Sequence, residues 1–152
     1  MNNDGSARTI AAMKELVRRI HDEAESEGRL GVIDEAYAAS FVDAGHPERG
    51  RGPESVKAHV REMRTRFPDL HVQVQSIVAE GDLVVARLVS RGTHTGAFAG
   101  LAPTGRVAEW DGFAMRRFEN GRIVEQWTRF NMIGLLRQLG ALKGMPDGAP
   151  RH

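Results

Sequence analysis

The chain has 152 residues, enough for one domain with a sizeable core and too few for two ordinary ones. Lys and Arg number 21 against 20 Asp and Glu, so the net charge of +1 provides no overall field for steering nucleic acid or an acidic membrane. Cys is absent, which excludes a disulfide framework and thiol catalysis and fits a reducing cytoplasm. The segment Met1-Asn2-Asn3-Asp4-Gly5-Ser6 carries no apolar stretch, and no run of about 18 apolar residues occurs elsewhere, so the chain reads as soluble and unexported.

From Ile10 the apolar positions Ile10, Met13, Val17, Ile20 and Ala24 recur every three or four residues, which predicts a helix of about four turns with one buried stripe. Val32, Ile33, Ala36 and Tyr37 predict a second, shorter helix, and Phe41-Val42-Asp43 a brief strand. A polar loop from Ala44 to Arg51 leads to Gly52-Pro53, suited to a helix start; Val56, Val60, Met63 and Phe67 then form the apolar face of a third helix that Pro68 ends. The period changes at Leu70, Val72 and Val74, which alternate with His71, Gln73 and Gln75 as in a half-buried strand. Leu83 to Arg91 reads as a second strand, Thr93 to Gly105 as a loop, and Arg106 to Phe118 and Arg122 to Asn131 as two more strands joined at Asn120-Gly121, a dipeptide that favours a type I′ turn. A last helix covers Ile133 to Leu139 and stops at Gly140. Residues 1–143 thus form one domain, and 144–152, with two Pro and two Gly, form a mobile tail.

Helices followed by an antiparallel meander describe an α+β domain whose N-terminal helices pack on one face of a curved sheet. With a two-residue turn at Asn120-Gly121, Glu119 faces Arg122 and Trp110 faces Asn131. One hairpin face then holds Trp110, Gly112, Ala114 and Arg116 with Glu125, Trp127, Arg129 and Asn131, and Arg116 pairs with Glu125. Asp111 falls on the opposite face with Phe113, Met115 and Phe130. A bulge anywhere in the hairpin would exchange the two sets.

The segment Trp127-Thr128-Arg129-Phe130-Asn131 running into Gly134-Leu135-Leu136-Arg137-Gln138-Leu139-Gly140, with Phe67-Pro68-Asp69-Leu70, Gly92-Thr93-His94-Thr95-Gly96 and Pro103-Thr104-Gly105, resembles the SnoaL-like polyketide cyclase and ester cyclase family of the nuclear transport factor 2-like superfamily. The resemblance implies a cone-shaped α+β barrel with a pocket between the concave sheet face and the helices. It also implies an intramolecular aldol closure of a polyketide-like or aromatic carbonyl compound by a half-buried carboxylate, without cofactor or metal. Members commonly carry that acid as Asp where this chain has Asn131, and an amide can donate and accept hydrogen bonds but cannot carry the proton.

Three residues stand as replacements for the base: His94, Asp43 and Asp111, the last a solvent-facing or interface residue unless a bulge brings it to the face of Trp110. His94 has a suitable intrinsic pKa but equally suits a loop-bonding role; Asp43 is a pocket carboxylate or a turn residue. Trp110 and Trp127 suit stacking on a flat ligand, and Arg129 could bind a carboxylate, phenolate or enolate oxygen. The six His show no metal-ligand spacing, and Arg61, Arg64 and Arg66 read as a solvated helix face rather than a nucleic-acid site. The resemblance further implies a homodimer paired through the outer sheet face. Hydroxylation or another tailoring reaction, and a non-catalytic ligand-binding or interaction module, remain alternatives to cyclisation.

Overall fold

The computed structural model describes residues 3–142, with side chains from Thr9 onward. The tail expected from Gly144 to His152 lies outside the described residues. Helix α1 (Asn3–Arg19) runs directly into a π-helical segment (Ile20–Ser26), followed by α2 (Gly31–Ala36), β1 (Tyr37–Asp43), a 3-10 turn (Pro47–Arg49) and α3 (Gly52–Arg66). The strands β2 (His71–Glu80), β3 (Leu83–Thr93), β4 (Val107–Glu119) and β5 (Arg122–Phe130) come next, and α4 (Met132–Gln138) closes the order. Among the described residues no helix is long and apolar enough to cross a membrane.

The five strands form one curved, open sheet in the order β1-β5-β4-β3-β2. Strands β2 to β5 are the expected antiparallel meander. β1 departs from it: it runs parallel to β5, with Tyr37 beside Ile123 and Asp43 beside Gln126, so the sheet is mixed. A parallel neighbour this far along the chain requires a long crossover, here α3 and the whole meander, and local alternation carries no trace of it. The stripe Met13, Val17, Ile20 and Ala24 is buried against β2 and β3, while α3 packs Val56 and Val60 towards β1.

The π segment ends at Gly28, whose φ of +75° suits glycine. Its last carbonyls find partners on other elements: the Arg64 guanidinium donates to the Glu25 carbonyl at 2.7 Å and the Ser26 carbonyl at 3.0 Å. Ser26 Oγ accepts from the Val72 N–H at 2.9 Å and reaches the Val72 carbonyl at 3.3 Å. Arg64 is therefore an internal cap that fixes the segment to α3, not part of a solvated face, while Ser26 ties it to β2.

Two bulges set which side chains face the helices. In β2 the register with β3 slips between Val74 and Ser76, so the inward parity changes from Val72 and Val74 to Ile77 and Ala79. In the last hairpin the turn at Asn120 (φ +50°) and Gly121 (φ +77°) is as expected, and Glu119 does face Arg122. The register then slips between Arg117 and Phe118, leaving Val124 as the extra residue of β5. From there Arg117 faces Glu125, Ala114 faces Thr128 and Gly112 faces Phe130. The expected pairing of Trp110 with Asn131 is corrected accordingly: Asn131 N–H donates to the Asp111 carbonyl at 2.9 Å. The expected Arg116–Glu125 ion pair becomes Arg117–Glu125 at 3.2 Å, which leaves Arg116 buried.

On the inner face the large Phe130 lies over Gly112. A Cβ on Gly112 would run into the Phe130 ring and, at 2.5 Å, the Arg129 carbonyl, which is backbone and cannot swing away. Gly112→Ala is expected to lower stability by about 1–3 kcal/mol through overpacking, read from the urea midpoint at unchanged m-value.

Candidate active site

The inner sheet face, α3, the π segment and α4 enclose a cavity of about 530 Å³. Its apolar walls are Trp110 from β4, Phe98 from the β3–β4 loop, Phe130 from β5, Val60 and Met63 from α3, Leu70 and Val72 around the start of β2, and Leu135 from α4. Polar groups enter at set places: Glu25 from the π segment, His59 and Arg66 from α3, Ser90 from β3, and Gly45, His46, Arg49 and Arg129 around the 44–51 loop. A cavity of this size, mostly apolar with few convergent polar groups, suits a flat small molecule.

Behind the wall runs a chain of buried polar side chains. Glu25 Oε2 lies 3.1 Å from His21 Nδ1, and His21 Nε2 lies 3.2 Å from an Arg116 guanidinium nitrogen. Arginine can donate but not accept, so His21 Nε2 accepts and its proton resides on Nδ1, donating to Glu25. Arg116 Nε also donates to the Tyr37 hydroxyl at 3.3 Å, which donates to Gln126 Oε1 at 3.1 Å. The Gln126 amide donates to Asp43 Oδ2 at 3.2 Å, as does Arg49 at 3.2 Å. Glu25, 26 % exposed at the side chain, is the end of this chain that reaches the cavity as a carboxylate. Burial pushes its carboxyl up, but His21 and its hydrogen bond, with Arg116 and His59 beyond, outweigh that and hold it below the ordinary glutamate range.

The residues singled out in the sequence fall in different places. Trp110, 5 % exposed, lines the cavity and packs on Phe67 with ring centroids 4.9 Å apart, so it serves both wall and core. Arg129 has the outer-face parity beside Phe113, yet its side chain curls to the cavity rim, where a Cβ on Gly45 would lie 3.3 Å from the guanidinium. β1 last pairs at Gln126, which leaves that edge of β5 uncovered. Trp127 sits opposite Met115 on the outer face, and the Val124 bulge is the reason it leaves the expected set. Asp43 is buried at the end of β1; it accepts from the Gly45 N–H at 3.0 Å as well as from Arg49 and Gln126, and so anchors the 44–51 loop.

His94 and Asn131 are bonded outside the cavity. His94, fully buried, accepts from the Thr104 N–H at 3.2 Å on Nδ1, packs beside Phe67 and clasps the ends of the 94–105 loop. Asn131 is the N-cap of α4: its Oδ1 accepts from the Gly134 N–H at 2.9 Å, a role worth about 1 kcal/mol. The histidine weighed as a base and the amide at position 131 here both satisfy backbone groups.

Glu25, His21, Arg116, Arg49 and His59 were not singled out by sequence reasoning. One signal was present for the first pair. His21 and Glu25 are four apart and adjoin the stripe Val17, Ile20 and Ala24, so they face each other on the buried side of the helix. Arg116 was visible only as the partner of Glu125, because the bulge that gives Glu125 to Arg117 has no Gly or Pro to mark it.

Fold and cavity together define a small-molecule pocket protein of the cone-shaped α+β class. The chain matches the family described as SnoaL-like polyketide cyclase over residues 15–139, and it belongs to that family. It is 29 % identical over 134 residues to aklanonic acid methyl ester cyclase AcmA of Streptomyces galilaeus, covering 86 % of this chain and 90 % of that protein. Among solved structures, TsrD from Streptomyces laurentii superposes with a TM-score of 0.81 at 28 % identity, over 87 % of this chain and 97 % of that one. IdmH from Streptomyces antibioticus, titled as a candidate polyketide cyclase, is 34 % identical with a TM-score of 0.73, over 84 % and 98 %. AclR from Streptomyces galilaeus, titled as a candidate hydroxylase, is 30 % identical with a TM-score of 0.78, over 91 % of each chain.

Proposed function

We propose that this protein is a cytoplasmic, cofactor-independent enzyme that closes a ring in a polyketide-like aromatic carbonyl compound, with Glu25 as the base. The observation that carries the reading is the Glu25 carboxylate on the cavity wall, oriented from behind by His21 and Arg116. An ionised carboxylate so held can accept a proton from a carbon next to a carbonyl without reorganising. The resulting enolate carbon attacks a second carbonyl of the same molecule; a C–C bond forms, and the new alkoxide takes the proton back from Glu25. The product is an isomer of the substrate, and no oxidant or reductant is required. Trp110, Phe98 and Phe130 offer surfaces for the flat rings, and Arg129 and Arg49 set a positive field over the developing oxyanion. Asn131 takes no part in the proton transfer on this reading, and Asp43 acts through the loop that it anchors.

A second reading, hydroxylation, is favoured by the likeness to AclR. Product mass separates the two, since ring closure conserves mass and hydroxylation adds an oxygen; ligand binding without any product would instead mark a non-catalytic module. For the assembly we propose a homodimer through the outer sheet face. There Phe113, 51 % exposed, lies beside Met115 and Trp127, whereas Phe130 belongs to the cavity side.

With an aromatic β-keto ester in deuterated buffer, exchange at the activated carbon is expected to fall by about 10²–10⁴-fold in Glu25→Gln at little-changed KM. Asn131→Asp should leave it within a few-fold, and equal exchange by wild type and Glu25→Gln would remove the base assignment. Sedimentation velocity is expected to give a dimer for the wild type and a monomer for Phe113→Asp; a wild-type monomer would rule out the assembly.

A further inference from the structure

The proposed reaction leaves His59 unused, and its surroundings are specific. It stands on α3 between the main cavity and a second void of about 10 Å³, walled in part by Asp43, Arg49, Ser55 and Gln126. Its Nδ1 is sealed from solvent and makes no hydrogen bond. About 10 Å³ is the least that holds one water, which also needs two or more polar groups facing it, and this void has several. Asp43 accepts from Gly45, Arg49 and Gln126, and a carboxylate has about four acceptor sites, so one remains. Arg49 has donors left beyond its bond to Asp43.

We infer that a single buried water in this void accepts from Arg49 and donates to Asp43 and to His59 Nδ1. It thereby fixes His59 as a neutral imidazole with its proton on Nε2, and this Nε2–H is the donor to the substrate's enolate oxygen in the main cavity, which His59 also lines. The inference rests on the proton-transfer reading and names the group that works opposite Glu25. Asp43 and Gln126 border the void and Glu25 the main cavity, while Arg49 borders both. Burial, and then Arg49, hold His59 below the ordinary histidine range against the opposing pull of Glu25, Glu62 and Asp43, so the ring is uncharged at neutral pH. A neutral N–H fixed in place beforehand suits an oxygen that gains charge only during the reaction.

The probe is 4-nitrophenol, whose anion mimics an enolate oxygen and whose ionisation is visible by absorbance. Wild type is expected to bind the phenolate at pH 7, His59→Leu about tenfold or more weakly, and His59→Gln, which keeps an N–H donor, within about threefold. Nitrogen-15 spectra of the wild type should give His59 as the neutral Nε2–H tautomer, and a high-resolution crystal structure should place one water in the void. An Nδ1–H tautomer, an imidazolium at pH 7, no phenolate binding by the wild type, or equal binding by the wild type and His59→Leu would each overturn the inference. Phenolate binding needs no turnover, so these outcomes stay separate from the test of Glu25: a failed base assignment would appear in deuterium exchange and leave the tautomer and the probe affinities as stated.

Discussion

The cavity depends on one buried cation. Arg116, 3 % exposed, has no carboxylate within ion-pair distance among the described residues, and its guanidinium bonds to the hydroxyl of Tyr37 and the imidazole of His21. Its charge is answered at second hand, by Glu25 through His21 on one side and by Asp43 through Tyr37 and Gln126 on the other. Burying a charge this way is costly unless every member of the network is satisfied, so the geometry of the π segment, β1, β4 and β5 is tied together by it. Glu25 meets the cavity as an oriented carboxylate because the network behind it has one satisfied arrangement.

Backbone anchoring works to the same end. The π segment could fray at its C-terminus, yet Arg64 takes up its carbonyls and Ser26 bonds both backbone groups of Val72. The residue next to Glu25 is thus fastened to the sheet, and a carboxylate on a helix end acquires the rigidity of a strand. At the opposite wall Asn131 caps α4 and sets the angle at which Leu135 closes the cavity. Position 131 therefore has a local structural task, and the carboxylate of this cavity comes from the helical side.

The sequence was legible where structure is local. The spacing of Met13, Val17, Ile20 and Ala24, Pro68 after α3 and the Asn120-Gly121 turn each rest on interactions within a few residues, and the helices and hairpin lie where those signals place them. Reading failed where a single residue changes parity. Val124 is an ordinary β-branched strand residue, yet as a bulge it moved Trp127 to the outer face and gave Glu125 to Arg117, which leaves the buried Arg116 without that carboxylate. The parallel pairing of β1 with β5 was equally hidden, because nothing near Phe41 encodes a partner more than eighty residues away. The cavity followed the same rule: Trp110 and Arg129 could be named from their neighbourhoods, while the link from Glu25 through His21 to Arg116 joins two elements far apart in sequence and appears only in the folded chain.

The central claim is that the working carboxylate of this pocket is Glu25 and not a group at position 131. A high-resolution crystal structure with a bound aromatic β-diketone tests it most directly. The acidic carbon of the ligand is expected within about 3.5 Å of a Glu25 oxygen, a near-attack distance, with Asn131 still bonded to the Gly134 N–H. A ligand whose acidic carbon lies away from Glu25, with Asn131 or His94 turned in to meet it, would contradict the account.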